Sequence, residues 1–312
     1  MSGYRFYHID PDGTEYPLTD GVNTWLQSYA GLGMQRLGIA AERVPYQHGR
    51  KRLGEPYLPD RLVAIGIGIS DETHAAWVNR DRALIHNLSP FKNPSSLCAL
   101  KVLRPDDVER RLAAWLVEYG ADSAEMDGPV FGKRTLIYWA EDPAFYDPTA
   151  MQTAFGVEPG GGFTFPVIFP VTFTAASDSG GVIFPITFPI TFEAANVIKH
   201  QTINYAGSLP TWPVIRCYGP GDYPKVENET EDQLVQVVQA LDSGDYVDID
   251  MDAGIATFYD ASDASSLDIT SQLTDESQFW QLRPGENNLR VVFNGVTSNG
   301  VRLTYYNRYL AI

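Results

Sequence analysis

Residues 277–312 read SQFWQLRPGENNLRVVFNGVTSNGVRLTYYNRYLAI. Two β-prone runs, NNLRVVFNG and VRLTYYNRYLAI, are punctuated by Asn294-Gly295 and Asn299-Gly300. Such dipeptides close tight turns because Asn and Gly tolerate the left-handed backbone. The same pattern runs back through WPVIRCYG, DYVDIDMD and IATFYDA, with Pro220-Gly221 as a further turn. Many short strands with regular turn signals predict an antiparallel sandwich or barrel for the second half.

The first half is less uniform. RFYHIDPDGTEYPL places the turn Asp10-Pro11-Asp12-Gly13 between two β-prone runs and predicts a hairpin. RLVAIGIGIS (61–70) reads as a strand. DETHAAWVNRDRALIHNLSP (71–90) reads as a helix: Asp71 is available as its cap, Ala76, Trp77, Arg80, Leu84 and Leu88 recur at helical spacing, and Pro90 stops it. In RPDDVERRLAAWLVEYG (104–120) Val108, Leu112, Leu116 and Tyr119 fit a helical stripe, while LAAWLVEY fits a strand equally well; the pattern leans to helix.

Between the halves, EDPAFYDPTAMQTAFGVEPGGG ends in Gly160, Gly161 and Gly162 and coincides with a shift in charge. Residues 1–150 hold 16 basic and 20 acidic side chains, and residues 151–312 hold 7 and 19. A domain boundary is expected there, separating residues 1–155 from residues 163–312. Just beyond it lies a repeat, FPVIFPVTF (165–173) and FPITFPITF (184–192). Within each copy the prolines share parity, so their missing N–H groups fall on one lateral edge and each copy can pair on one side only. The five large apolar side chains on one face of each copy need cover, either on the chain's own sandwich or on a neighbouring subunit. Phe169, Phe188 and, in the first half, Trp77 are the expected interface residues.

A formal net charge of −16 argues against gripping nucleic acid through its phosphates. Cys98 and Cys217 stand alone, which excludes a disulfide scaffold and a cysteine zinc site. No run approaches 18 apolar residues and the start lacks a signal-peptide pattern, so neither secretion signal nor membrane span is expected. His8, His48, His74, His86 and His200 are scattered, and no GxSxG or GxGxxG occurs. Asp248, Asp250 and Asp252 resemble a calcium loop, but its glycine falls one place late, and alternation makes an exposed polar stripe the ordinary reading. No catalytic residue, cofactor or metal site is expected.

The order of whole segments is informative where no active site is. GLG (31–33), YQHGRKRL, RLVAIGIGIS, LIHNLSP, LIYWAEDPAFYDP, YAGSLPTWPVIRCYGPGDYPKVENET, GDYVDIDMDAG, and finally SQFWQLRPGENNLRVVF with a closing aromatic strand follow one another. This order resembles the distal tail proteins of long-tailed bacteriophages (siphoviruses), also called tail-component or baseplate-hub proteins, and Trp280 to Asn287 is similar to their W-x-L-x-P-G-x-N phrase. The resemblance implies a mainly β fold of two β-sandwich domains. The first, 1–155, has one helix near 71–89 and forms a ring; the second, 163–312, is galectin-like. It also implies strand for 104–120. In function it implies a structural virion protein without catalysis, a homo-hexamer joining tail tube to tail tip in the virion tail after assembly in the host cytoplasm, with DNA passing through unbound and no membrane contact. Its implied partners are the tail tube, tape measure, tail-tip hub and receptor-binding or fibre proteins. The alternative is a carbohydrate-binding adhesion module using aromatics such as Trp212, Tyr218, Trp280, Tyr305 or Tyr306.

Overall fold

The computed structural model describes residues 3–38, 41–42, 51–52, 57–89, 91–92, 96–121, 131–155, 196–294 and 300–312. The first half opens with β1 (Arg5–Ile9), β2 (Glu15–Pro17), β3 (Thr24–Ala30) and the short pair β4 (Ala41–Glu42) and β5 (Lys51–Arg52). β6 (Arg61–Ser70), helix α1 (His74–Asn87), β7 (Cys98–Leu103), β8 (Glu109–Ala121), β9 (Phe131–Ala140) and β10 (Phe145–Tyr146) follow. The expected hairpin forms: β1 pairs with β2, and the Gly13 N–H donates to the Asp10 carbonyl at 2.9 Å. The strands run antiparallel in the order β2-β1-β7-β8-β9-β6-β3.

β8 is the joint of this sheet. Glu109 to Ala114 pair with β7, and Trp115 onward pairs with β9 across a bulge between Leu116 and Glu118. A bulge bends a strand and increases its twist. Strands on either side of this one share a core that includes Phe6, Ile65, Leu100, Leu112, Leu136 and Tyr138, all fully buried. The helical leaning at 104–120 is therefore overturned. Leu112, Ala114 and Leu116 alternate inward, and partners on both sides outweigh the local stripe.

The expected helix is present as α1, the only α-helix among the described residues, but its cap differs. Thr73, not Asp71, is the N-cap, its hydroxyl accepting from the Ala76 N–H at 3.2 Å. Asp71 instead accepts from Arg80 Nε at 2.9 Å and from the Glu72 N–H at 3.0 Å.

The second half contains β11 (Met151–Phe155), β12 (Asn196–Tyr205), β13 (Val214–Tyr218), β14 (Gly221–Asn228), β15 (Gln233–Gln236) and β16 (Ala240–Leu241). β17 (Tyr246–Asp250), β18 (Ile255–Asp260), β19 (Ser265–Asp268), β20 (Gly285–Asn294), β21 (Val301–Tyr305) and β22 (Arg308–Tyr309) complete it. One antiparallel sheet runs β11-β21-β13-β17-β18-β19 and the other β12-β20-β14-β15, with β16 beside β14. Their inward residues form one core, as the alternation predicts: Leu289, Val291 and Phe293 from β20 meet Val301 and Leu303 from β21. Each such side chain contributes about 1.5–3 kcal/mol on burial.

The halves exchange strands. β11 is an edge strand of the second half's sheet, and Phe155 lies in that core. Conversely, β22 pairs with β10 and so joins the first half's sheet. Gly160–Gly162 and both proline-phenylalanine repeats, Phe169 and Phe188 included, lie outside the described residues.

Candidate functional site at the junction of the halves

Arg61 opens β6 and is fully buried. Its guanidinium is fixed by four backbone carbonyls from three segments far apart in sequence. Nε donates to Pro143 at 2.6 Å, Nη1 to Gly31 at 2.5 Å and Gly33 at 2.9 Å, and Nη2 to Leu310 at 2.7 Å. The Phe145 ring lies 4.6 Å from the guanidinium carbon. Segments noted in the sequence as an ordered series, GLG, RLVAIGIGIS, the AEDPAFYDP run and the closing aromatic strand, thus converge on one side chain. With only neutral acceptors around it, burial pushes the Arg61 pKa down to about 10, so it remains a cation at neutral pH. Gly31 is required twice over here. Its φ is +87°, and a Cβ would stand 2.1 Å from the Leu62 carbonyl oxygen.

A second node joins β22 to the first half. Arg110 Nη1 donates to Asp147 at 2.6 Å, Asn307 donates to the other oxygen of that carboxylate at 2.8 Å, and the Arg110 guanidinium lies 4.0 Å from the Tyr309 ring centroid. Close by, Arg308 Nη2 donates to Asp142 at 2.8 Å and Nη1 to the Pro210 carbonyl at 2.8 Å, while the Tyr146 hydroxyl donates to Asp142. Burial and the Asp142 charge raise the Tyr146 pKa, keeping its phenol protonated. These residues border an open cleft of about 380 Å³ that also receives Trp212, Tyr306 and Asp252.

Elsewhere, β1 carries a buried polar chain. His8 Nε2 meets Asp10 at 3.0 Å and Nδ1 meets the Tyr138 hydroxyl at 3.1 Å. Because the Asp10 carboxylate only accepts, Nε2 carries the proton and Nδ1 accepts from Tyr138. Lys92 approaches the other Asp10 oxygen at 3.4 Å. Burial lowers the His8 pKa against the pull of Asp10. The adjoining hollow of about 20 Å³ has room for little more than a water.

Of the expected interface residues, only Trp77 is within the described structure. It leaves 5% of its surface exposed, donates its indole N–H to the Ile69 carbonyl at 3.2 Å, and lies so close over Gly132 that a Cβ there would be 2.5 Å from the ring. Asp248 pairs with Arg216 at 2.6 Å, and Asp250 accepts from the N–H groups of Asp252 and Ala253 in the β17–β18 turn. The aspartate stripe therefore has structural partners. Nothing in the sequence pointed to Arg61, Asp142 or Arg308. The partners of Arg61 are all backbone carbonyls, which leave no side-chain pattern, and Asp142 and Arg308 meet across 166 positions of sequence.

Residues 206–309 match the family model described as the siphovirus-type tail component, C-terminal domain. By sequence, no curated protein is a match for the chain. In fold the chain is similar to the crystal structure of the Dit protein (gp 19.1) of phage SPP1, described as a paradigm of the hub adsorption apparatus in phages infecting Gram-positive hosts. The TM-score is 0.63 at 15% identity, over 97% of this chain and 98% of that one. Two structures of the phage p2 baseplate in its activated conformation, with Ca and with Sr, also match over 97% of this chain and 98% and 97% of theirs. Their TM-scores are 0.48 and 0.43, at 9% and 10% identity. The chain thus shares the fold of that Dit protein over its length, and within residues 206–309 it is similar to the tail-component domain, in line with its segment order.

Proposed function

We propose that the chain is a non-catalytic hub that assembles into a hexameric ring between tail tube and tail tip, through which DNA passes without specific binding. The match of residues 206–309 to the tail-component domain carries this reading. In it, residues 1–155 apart from β11, completed by β22, build the ring, and residues 163–312 up to β21, completed by β11, project as a galectin-like sandwich. Tail tube, tape measure, tail-tip hub and receptor-binding or fibre proteins are the neighbours, and assembly takes place in the host cytoplasm. The net charge of −16 lies mostly in the projecting half, 7 basic and 19 acidic side chains against 16 and 20 in residues 1–150, so a lumen that repels phosphates draws on acidic residues of the first half.

A closed ring needs two unlike surfaces that fit head to tail. One is offered by Phe91 (86% exposed), Val117 (55%) and Ile85 (48%), which flank a groove of about 270 Å³ between α1 and β8. Apolar side chains grouped in this way are cover for a partner rather than scattered surface, and we assign the groove to the neighbouring copy. The segment bearing Phe169 and Phe188 is proposed as a second contact. Light scattering of the purified protein tests the reading: a particle near 208 kDa, six times 34.6 kDa, is expected. Phe91→Glu with Val117→Glu should return it to monomer with an unchanged far-ultraviolet circular dichroism spectrum and a melting temperature that no longer depends on protein concentration. A wild-type chain that stays monomeric at about 100 µM, together with tails lacking six-fold density, would refute the ring.

A further inference from the structure

The alternative reading of the sequence named five aromatics as a sugar platform, and the structure separates them. Trp280 is 1% exposed and Tyr305 6%, both within the second core, so neither can meet a ligand. Tyr218 sits with Tyr246, at 6.1 Å between ring centroids, beneath the Arg302 guanidinium. Trp212 and Tyr306, by contrast, come together at the cleft between the halves, where Tyr146 joins them from β10.

We propose that this cleft binds a neutral pyranose sugar. A pyranose presents an apolar C–H face and a rim of hydroxyl groups, so its site needs aromatic surface with fixed hydrogen-bonding groups beside it. Both are present. The base of Trp212 is packed against the second core, which holds its ring in place, and Tyr306 is 45% exposed. Tyr146 meets Tyr306 edge-on, at 6.2 Å and 84°, so the two rings form a corner rather than a stack that closes on itself. The polar rim is pre-organised. Asp142 accepts from Arg308 at 2.8 Å, from the Ala144 N–H at 3.1 Å and from the Tyr146 hydroxyl. A carboxylate has about four acceptor positions, so one remains on Asp142 for a sugar hydroxyl. Asp252, in the β17–β18 turn, brings a second, exposed carboxylate to the cleft.

The charges select the ligand class. Two carboxylates face one guanidinium, whose Nη1 and Nη2 are engaged by the Pro210 carbonyl and Asp142 and whose unpartnered Nε is buried, so no accessible cation awaits a phosphate or uronate. Carboxylates paired across a rim of aromatics suit vicinal hydroxyl groups, each donating to an oxygen. A volume of about 380 Å³ lies in the range of roughly 300–1,000 Å³ typical of small-ligand sites, and suits one or two sugar rings.

Saturation-transfer NMR on the full-length protein tests this with glucose, galactose, N-acetylglucosamine and their disaccharides at about 5 mM. At least one should receive saturation, strongest at its ring C–H protons, with a Kd on the order of millimolar, as its few heavy atoms allow. Trp212→Ala and the exposed variant Tyr306→Ala should each weaken binding about tenfold or more, and Asp252→Asn about threefold. Glycerol 1-phosphate should receive none. No saturation of any of the sugars, or binding undiminished in both the folded Tyr306→Ala and Asp252→Asn proteins, would overturn the proposal. So would displacement of the effect onto N-acetyl-arginine amide, which would make the cleft a socket for a partner's cationic side chain. Because the particle mass reports the ring independently, failure here leaves the hub assembly untouched.

Discussion

Replacing Arg61 by Met keeps the length and apolar stem of the side chain and removes its donors. The Pro143 carbonyl, on a buried residue, then has no donor in its place, which costs about 1–3 kcal/mol. The carbonyls of Gly31, Gly33 and Leu310 belong to exposed or half-buried residues and regain water, so their charge-assisted bonds are partly replaced. Relief from burying a cation offsets some of the loss. The net is about 2–3 kcal/mol, or a fall in melting temperature of roughly 4–12 °C by calorimetry. Arg61→Lys, a point charge with three donors and no planar fork, should recover less than half. The loss should be local as well as global. Amide exchange at Ile312, whose N–H donates to the Leu32 carbonyl at 3.2 Å beside this node, should speed up more than exchange in β20. A fall below about 1 kcal/mol, with Ile312 exchange unchanged, would show that the four carbonyls find other donors and that Arg61 holds nothing together.

Two further outcomes follow from the first half. His8 binds fewer protons folded than unfolded, because burial lowers its pKa below 6.5, so its stabilising effect is complete above that value and is lost as pH falls from there toward the folded pKa. Melts from pH 7.5 to 5 should show wild type losing up to about 1.4 kcal/mol per pH unit more than His8→Gln, with Asp10, Lys92 and Tyr138 unchanged around the site; parallel slopes would be inconsistent with a buried neutral imidazole. Gly132→Ala should destabilise by about 1–3 kcal/mol in urea titrations, since the new methyl meets the Trp77 ring at 2.5 Å, and Gly132→Ala in a Trp77→Leu background should cost much less.

The β content of the second half was legible because alternation there coincides with burial: every second residue of Leu289–Phe293 and Val301–Tyr305 faces one core. The helix was legible from Ala76, Trp77, Leu84 and Leu88, although its cap was not, since Asp71 and Thr73 are chemically equivalent candidates until Arg80 claims one of them. The strand at 109–121 was illegible locally. Its residues carry a helical stripe, and only pairing with β7 and β9 decides the matter. Arg61 was illegible for a different reason: a guanidinium bound to backbone carbonyls can be surrounded by any residue types, so no composition announces it. The cleft lay between these cases. Trp212 and Tyr306 were named among five aromatics, but which of them would be buried depended on sheet order, and Tyr146 reached them from the other half.

The pairing of β22 with β10 has a consequence for how the molecule comes to exist. Residues 308–309 complete a sheet whose other strands lie within residues 5–146, and Arg61 waits for a carbonyl 249 positions downstream. Contacts that distant in sequence form late and slowly, because the intervening loop must be closed before they stabilise anything. A growing or truncated chain that has reached β21 would therefore carry a first half with an unfinished edge and a buried cation short of one of its four carbonyls. Synthesis order and assembly order are thereby coupled: a subunit lacking residues 307–312 would have both halves yet lack the strand that joins them, and would be a poor substrate for incorporation into any larger structure.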